Sequence, residues 1–273
     1  MRAASYLPIG LALLLAFSFT PATAETLEPA SKAALGDGEA MVFKASWKLF
    51  SRAGSIAISA DTVEQNEAAP KSEAGARRIR VEVASDGLLA RLFTYRATGE
   101  SLFDPATGRM MSSSYKSVSG KRRMERSMSL DFDTGVARYR DALVPKRDAD
   151  VPLPAGEPLD LITCLVTARR WNLQPGDTRD VVVLADKRFY PIRLRAERRE
   201  SIEAAYGTFN ALLIVPEPIG TPRGVFSKGG GMRIWIEDAP RALPLRIEVS
   251  GSSGTVTADL VRYTPPRQAG TDQ

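Results

Sequence analysis

The sequence predicts a mostly β protein: a curved antiparallel sheet or open barrel of about a dozen strands around one buried helix. Three observations predict this class. Short segments with apolar residues at every second position recur along the chain, turn residues separate them, and residues 159–171 have helical character. Alternation with a period of two gives a strand one apolar and one polar face, as in antiparallel sheets. Such a sheet buries its apolar face by curving around the helix.

The first half of the domain is predicted to be an antiparallel meander. Its first two strands, residues 41–50 and 55–63, are joined by a hairpin turn at residues 51–54. Residues 64–76 lack hydrophobic periodicity and are expected to form a flexible loop. Apolar side chains then alternate with charged ones in residues 78–83. Further strands are predicted at residues 88–97, 100–103, 110–119, 122–132 and 136–139.

The second half begins with the predicted helix. Asp160 is expected to cap its amino end, and apolar residues cover most of its circumference, so we expect it to lie in the core. Residues 172–177 include proline and glycine and are expected to end the helix. Strands then follow at residues 179–184, 188–196, 200–204, 207–215, 232–237, 243–249 and 254–263.

The amino terminus has the pattern of a secretory signal peptide. Arg2 precedes an apolar run at residues 11–17, and small residues follow, with predicted cleavage after Ala24. The run is shorter than a membrane span, so the mature protein is expected to be periplasmic and to have no transmembrane segment. The predicted organisation is a signal peptide at 1–24, a polar leader at 25–39, a single β-rich domain at 40–264 and a polar tail at 265–273.

Composition excludes several chemistries. The chain has no histidine, which excludes Ser-His-Asp and Cys-His catalysis and histidine-ligated metals. Its single cysteine, Cys164, cannot form an intramolecular disulfide and is predicted to be a small buried residue. We expect neither a cofactor nor a metal. The net charge of +5 is scattered, so its arginines are expected on solvated faces or weakly attracted to anionic lipid headgroups or cell-wall polymers, and no nucleic-acid partner is expected.

Two short motifs have the residue types of catalytic sites but lack their context. Ser113 and Lys116 have the serine-x-x-lysine spacing of penicillin-recognising enzymes, yet they lie in a predicted strand and the accompanying Ser-Asp-Asn and Lys-Thr-Gly elements do not occur. Glu237 and Asp238 suggest paired carboxylates, but adjacent strand residues point to opposite faces, and a turn is the preferred interpretation. The protein is therefore predicted not to be an enzyme.

Two glycine-containing segments resemble ion-binding loops in part. Residues 131–135 begin like a calcium loop, but Ala142 occupies the position of the closing glutamate, so a hairpin turn is predicted. Residues 228–231 lead into a strand instead of a helix that could hold phosphate. We interpret them as a flexible hairpin tip, with a mobile lid over a cavity as the alternative.

The aromatic residues supply the candidates for a binding site. Trp47, Trp171 and Trp235 are expected to anchor a core, and Trp47 and Trp235 could instead line a cavity. A flat apolar ring with one hydrogen-bond donor suits a lipid or a glycan. With Leu165 on the helix and Tyr190 on a strand, these two tryptophans form the predicted ligand-binding set.

Six short segments follow one another in a characteristic order. They are FKASW at 43–47, PLDLI at 158–162, LQPGD at 173–177, FYPI at 189–192, YGTF at 206–209 and IWIED at 234–238. In order and spacing they resemble the exported bacterial proteins grouped as Domain of Unknown Function 3108. The resemblance implies a periplasmic, all-β, barrel-like domain and brings no established activity or catalytic residues. The chain departs from the family at residues 164–166, where the family commonly shows aromatic residues.

These observations leave three functional hypotheses. We expect a non-enzymatic periplasmic protein of cell-envelope maintenance that binds a hydrophobic or envelope-derived ligand, a lipid or an envelope glycan. The predicted architecture also looks like the half-barrels of periplasmic lipoprotein carriers, which is an analogy of shape. The alternative is a scaffold that binds envelope proteins through exposed edge strands, without a ligand cavity. A hydrolase using carboxylates alone would need two acids that converge in a cleft.

Overall fold

Fifteen strands form one continuous sheet in the part of the chain that the structure describes. That structure is a computed structural model, and it describes residues 35–64, 75–104, 106–205, 207–221, 226, 230–238 and 240–267. The predicted signal peptide therefore lies outside the described residues, with most of the polar leader and the end of the polar tail. The mostly β fold class and the curved sheet around a buried helix are confirmed.

The described strands and helices have the following bounds. In chain order the strands are β1 (Ala40–Trp47), β2 (Phe50–Thr62), β3 (Arg77–Ser85), β4 (Tyr95–Phe103), β5 (Met110–Ser119), β6 (Arg122–Asp131), β7 (Val136–Asp141), β8 (Ala149–Pro152), β9 (Leu159–Asp160), β10 (Thr178–Ala185), β11 (Arg188–Ala204), β12 (Gly207–Pro218), β13 (Gly231–Glu237), β14 (Pro244–Gly251) and β15 (Gly254–Thr264). Helix α1 (Gly87–Leu92) lies between β3 and β4, and α2 (Leu161–Ala168) follows β9. A 3-10 helix at Pro145–Arg147 precedes β8. Within the described ranges, no helix has the length and apolar character that a membrane span requires.

The sheet consists of two meanders joined by the first and last strands. Its strand order is β8 to β1 followed by β15 to β9. Ala45 of β1 faces Gly54 of β2 on one side and Ala258 of β15 on the other. Neighbouring strands are antiparallel, except that β9 pairs parallel with β10. The two edges of the sheet are therefore β8, with four residues, and β9, with two.

Alternate turns lie at the same end of the sheet, because neighbouring strands are antiparallel. One end carries α1 and the β1–β2, β5–β6 and β10–β11 turns, and we call it the α1 end. The opposite end carries the residues before β1 and the β13–β14 turn, and we call it the Glu39 end.

Helix α2 fills the half of the concave space nearest the Glu39 end. Its six residues 163–168 are all buried. At the carboxyl end of the helix, Arg169 donates to Glu39 Oε1 at 2.5 Å and to the Arg241 carbonyl oxygen at 2.7 Å. Arg169 and Glu39 are 8% and 2% exposed, so this ion pair lies inside the protein and ties the helix to the start of β1.

The helix is shorter than the predicted range of residues 159–171, which is wrong at both ends. Leu159 belongs to β9, and Asp160 has extended backbone angles of φ −73° and ψ 169°. After Ala168, the Arg170 and Trp171 amides donate to carbonyls three residues back, as in a tightened last turn. Asn172 then takes a left-handed φ of 48°, which turns the chain out of the helix.

The predicted hairpin turn at residues 51–54 is also wrong, because these residues belong to β2. The turn comes earlier, at Lys48 and Leu49, where Lys48 takes a left-handed φ of 53°. Trp47 and Phe50 flank it as a cross-strand pair whose rings stack with centroids 6.0 Å apart. The stacked pair fixes the turn at a place that has no glycine or proline to mark it.

The predicted strand at residues 88–97 is replaced by α1 and the start of β4. Asp86 caps α1 by accepting from the Gly87 amide at 2.7 Å. In α1, Leu89 is buried while Leu88 and Leu92 are exposed. Because the apolar residues of this helix do not all face the core, their spacing does not follow a single buried helical face, and the prediction of a strand is wrong.

For the remaining strands, the prediction differs from the structure more in the number of strands than in their positions. β5 has the predicted bounds of residues 110–119. β11 is one strand where two were predicted, with a shift in register between Ala196 and Arg199. The two edge strands β8 and β9 had no prediction. The predicted segments that merge into β4 and β11 offset these two additions, and fifteen strands are described where about a dozen were expected.

Candidate functional site

A pocket of about 150 Å³ lies between the concave face of β3–β7 and the amino end of α2. It occupies the space toward the α1 end, which the helix leaves unfilled. The β10–β11 turn closes part of it through Ala185 and Asp186. Most of the lining is apolar and comes from Ile79, Val81, Val83, Ala97, Met128, Leu161, Ile162 and Leu184.

Gly99 makes room for the pocket in the middle of β4. It faces Val81 on β3 and Tyr115 on β5, and all three line the pocket. A Cβ atom on Gly99 would meet the Ser114 carbonyl oxygen at 3.8 Å, an ordinary contact. The backbone therefore does not require glycine here, and the missing side chain leaves empty space.

A pair of tyrosine hydroxyls forms one polar wall. The Tyr95 and Tyr115 oxygens lie 2.7 Å apart, so one hydroxyl donates to the other. The second hydroxyl keeps a proton that the pair does not use, and it can donate to a ligand oxygen. Burial raises the pKa of Tyr95 well above its ordinary value, and the bond to Tyr115 adds to the effect. Tyr95 is therefore neutral and remains a donor at physiological pH.

The Asp160 carboxylate forms a second polar wall, and four donors occupy its oxygens. Oδ1 accepts from the Ile162 and Thr163 amides, each at 2.9 Å. Oδ2 accepts from the Ser101 and Thr163 hydroxyls, each at 2.6 Å. The predicted cap is confirmed, and the same carboxylate ties α2 to β4. Within the described part of the chain, no cation contacts it.

Among the described residues that line the pocket, Arg126 is the cation, and it forms ion pairs with two carboxylates. Its Nη1 donates to Asp186 Oδ1 at 2.9 Å, and its Nε lies 3.4 Å from Asp141 Oδ2. Asp186 belongs to the β10–β11 turn, where it takes a left-handed φ of 57° that aspartate tolerates. The Arg126–Asp186 bond thus joins two distant parts of the sheet, and the positive charge of this described lining residue is paired with carboxylates.

The four predicted ligand-binding residues lie outside the lining of this pocket. Leu165, on α2, and Trp235, on β13, are 6% and 7% exposed in the hydrophobic core, and Tyr190 packs against the same core. The structure thus brings three of the four to one apolar cluster. Trp47 lies at the α1 end, with its Nε1 donating to the Ser253 carbonyl oxygen at 3.2 Å.

The sequence does not predict these lining residues, because small residues in a strand do not by themselves indicate a pocket. Ala97, Gly99, Ser101 and Ser113 are small residues at inward positions of two strands. Small residues at alternate positions of paired strands leave a void only when they face each other. The alternation was visible in the sequence, but the register of β4 against β5 was not.

The two motifs with catalytic residue types are separated by the sheet. The Ser113 hydroxyl faces inward and lies 3.2 Å from the Ser101 hydroxyl, whereas Lys116 pairs on the outer face with Glu125 at 2.7 Å. Glu237 and Asp238 likewise diverge. Glu237 is buried against Arg241 at 2.6 Å, and the exposed Asp238 contacts Arg199 at 2.7 Å.

The glycine-containing segments and the cysteine have structural roles where they are described. Asp131 accepts from the Thr134 amide at 3.0 Å, and this hydrogen bond is the main cause that lowers the Asp131 pKa to about 2. The described residues contain no cluster of potential metal ligands. Residues 228 and 229 of the predicted hairpin tip lie outside the described ranges. Cys164 is buried as predicted, and burial raises the pKa of its thiol to about 12.

Comparisons with known proteins support the fold and the family. The family described as Protein of unknown function (DUF3108) matches residues 42–261. A crystal structure of a β-barrel-like protein of Domain of Unknown Function DUF1849 from Brucella abortus is similar at a TM-score of 0.54 and 6% identity, covering 86% of this chain and 100% of that one. At this identity the likeness shows the fold alone. A comparison with curated proteins gives no match.

Two further structures are more distant. A protein from Bacteroides fragilis with a YmcC-like fold, provisionally described as exported, has a TM-score of 0.31 at 11% identity, covering 84% of this chain and 97% of that one. A protein from Parabacteroides distasonis, provisionally described as a lipoprotein, has a TM-score of 0.29 at 11% identity, covering 86% and 97%. At these scores neither likeness carries an argument.

Proposed function

This chain belongs to the DUF3108 family of proteins of unknown function, and from that premise we propose that it is a non-enzymatic periplasmic protein that binds a small apolar part of an envelope-derived ligand. The observation that carries the proposal is the pocket of about 150 Å³ beside α2. Binding sites are concave and mostly apolar, with a few fixed polar groups, and this lining has that composition.

The volume limits the size of the bound group. An engineered apolar cavity of about 150 Å³ in another protein binds benzene. The pocket therefore suits a group of about six carbons, the end of an acyl chain or one ring, rather than a whole lipid. The remainder of a larger ligand would extend out of the pocket.

The electrostatics favour an uncharged ligand. Among the described residues of the lining, the Arg126 guanidinium is paired with the Asp186 and Asp141 carboxylates, which disfavours binding of a carboxylate or phosphate. The Asp160 carboxylate in the wall would repel an anion. Its oxygens already have four donors, so it offers little to an ammonium group. The spare tyrosine proton suits a carbonyl or ether oxygen.

The edges of the sheet favour this proposal over the scaffold alternative. Binding by strand addition uses an exposed edge with a row of free backbone groups. Here β8 has four residues and ends in Pro152, and β9 has two residues before the chain turns into α2. Such short edges offer few backbone hydrogen bonds to a partner strand.

Filling the pocket tests the proposal. We expect wild-type protein, purified without detergent, to carry a small apolar ligand that native mass spectrometry and lipid extraction detect. Gly99→Val should lose that ligand, because valine fits the strand but occupies the pocket. Gly251→Val is the matched control, since Gly251 ends β14 with open space around it, and it should retain the ligand.

If wild-type protein is recovered without ligand, titration with methyl hexanoate, hexanoate and hexylammonium, followed by NMR, decides the question. The neutral ester should bind at least tenfold more tightly than either charged probe, and Gly99→Val should abolish its binding. Absence of binding by all three probes would refute the pocket as a ligand site. Tighter binding of a charged probe would refute the neutral ligand class.

A further inference from the structure

Three large apolar side chains are exposed to solvent on neighbouring segments of the α1 end. Leu49, at the β1–β2 turn, is 99% exposed, and Leu88 and Leu92, on α1, are 60% and 72% exposed. Leucines at this level of exposure bury little apolar area within the fold. Exposed apolar side chains on neighbouring segments indicate a surface that contacts another molecule or a membrane.

Hydrogen bonds join the segments that carry these leucines into one surface. The Asp86 amide, before α1, donates to the Ala53 carbonyl oxygen of β2 at 3.0 Å. After α1, the Thr94 carbonyl oxygen accepts from the Gly120 amide of the β5–β6 turn at 3.2 Å. The β1–β2 hairpin, α1 and the β5–β6 turn are thus held side by side.

Five exposed cations lie on the same segments as the three leucines. They are Lys48, Arg52, Arg91, Lys121 and Arg122. Arg52 lies 3.5 Å from the Asp86 carboxylate. Within the described ranges, the other four have no carboxylate at ion-pair distance. We call the three leucines and five cations the leucine surface; its charge is strongly positive.

The pocket lies toward the same end of the sheet. Its lining reaches Val83 and Tyr95, which flank α1 in the chain. The Phe93 ring, next to α1, stacks on Tyr95 with centroids 6.4 Å apart. Any molecule or membrane that contacts the leucine surface would therefore lie near the proposed ligand site.

From this arrangement we propose that the leucine surface docks onto a bilayer that contains anionic lipids. The leucines would enter the boundary between headgroups and acyl chains, and the cations would contact lipid phosphates. Lysine and arginine beside exposed aliphatic side chains are typical of segments that lie on a membrane surface. The charge of the surface complements an anionic bilayer.

Co-sedimentation with vesicles tests the proposal. Wild-type protein should bind vesicles of phosphatidylcholine with 30 mol% phosphatidylglycerol more tightly than phosphatidylcholine alone, by roughly tenfold or more, and 0.5 M salt should weaken that binding. The triple variant Leu49→Ser, Leu88→Ser and Leu92→Ser should lose at least tenfold in affinity. Replacing the same leucines by methionine should retain binding, because methionine keeps the apolar side chain.

Two double variants with the same change in charge test the contribution of the cations to vesicle binding. Lys121→Gln with Arg122→Gln should weaken binding roughly tenfold, whereas Arg198→Gln with Arg233→Gln, an equal charge change on the outside of β11 and β13, should not. Far-UV circular dichroism checks the fold of each variant. Equal binding to both vesicle types, or none to either, would overturn the proposal. Self-association that the serine variant abolishes, without vesicle binding, would assign the surface to a protein partner instead.

Discussion

Trp235 and Glu200 show how a single polar atom is accommodated inside the sheet. Trp235 is 7% exposed, and its indole Nε1 donates to Glu200 Oε1 at 2.5 Å. This hydrogen bond is the main cause that lowers the pKa of Glu200 below its ordinary value, and Arg198 contributes. The charged form of Glu200 is thus the one that the folded state prefers.

This residue pair predicts a pH dependence of stability. Because the folded-state pKa of Glu200 is lowered, its contribution is present above the ordinary value of 4.5 and is lost as pH falls through the lowered pKa. Urea unfolding at pH 7 and pH 3 should show a smaller loss of stability for Glu200→Gln than for wild type. Glu203→Gln, on the same strand, is the control and should behave as wild type. An equal loss in the wild type and Glu200→Gln would contradict the assignment.

At the scale of elements, α2 is held at both ends by residues of the sheet. Asp160 caps the helix and bonds Ser101 of β4. Arg169, past the other end, pairs with Glu39 before β1. An isolated helix of eight residues is unstable in water, so these contacts and the burial of its sides account for its presence.

Leu165→Asp tests the burial of this helix. A carboxylate buried without a partner costs several kcal/mol, on the order of the stability of a whole domain, so cooperative urea unfolding should be abolished. Leu49→Asp makes the same change at a residue that is 99% exposed and should alter the free energy of unfolding by less than about 0.5 kcal/mol. A change below about 1 kcal/mol for Leu165→Asp would place the helix on the surface.

At the scale of the whole molecule, contacts between residues far apart in sequence join the two halves of the open sheet. β1 pairs with β15, so the first and last strands hold each other in register. Glu39 accepts from Tyr263 at 3.1 Å as well as from Arg169. These contacts link the first and last strands and the central helix, so we expect the sheet and helix to unfold as one unit.

Cys164 reports on that cooperativity. It is the single thiol of the chain, lies on α2 and is 5% exposed. Its raised pKa of about 12 keeps the thiol protonated at pH 8, so N-ethylmaleimide should label it only when the core opens. The labelling rate should rise with urea concentration, and its dependence on urea should match that of global unfolding. A variant with Cys164→Ala and Ser252→Cys, whose thiol is exposed, should label at once. Equally fast labelling of wild type would show that α2 opens locally.

Local structure follows in large part from neighbouring residues in the sequence. Alternation of apolar residues is a property of neighbouring residues, and it placed most strands within one or two residues, β5 among them. The cap at Asp160 was also predictable, because a capping side chain bonds to amides two and three residues on. The β1–β2 turn and α1 were not, because a stacked pair and a half-exposed helix override the local pattern.

The tertiary structure alone decided where the pocket and the leucine surface lie. The register of β4 against β5 places Ser101 opposite Ser113, so two small inward residues face each other beside Gly99. Ser101 and Asp160 are 59 residues apart and meet because α2 returns through the curved sheet. Apolar periodicity states which face of a strand is inward, but the void depends on which inward residues face each other. That pairing follows from packing over the whole sheet, which no local pattern encodes.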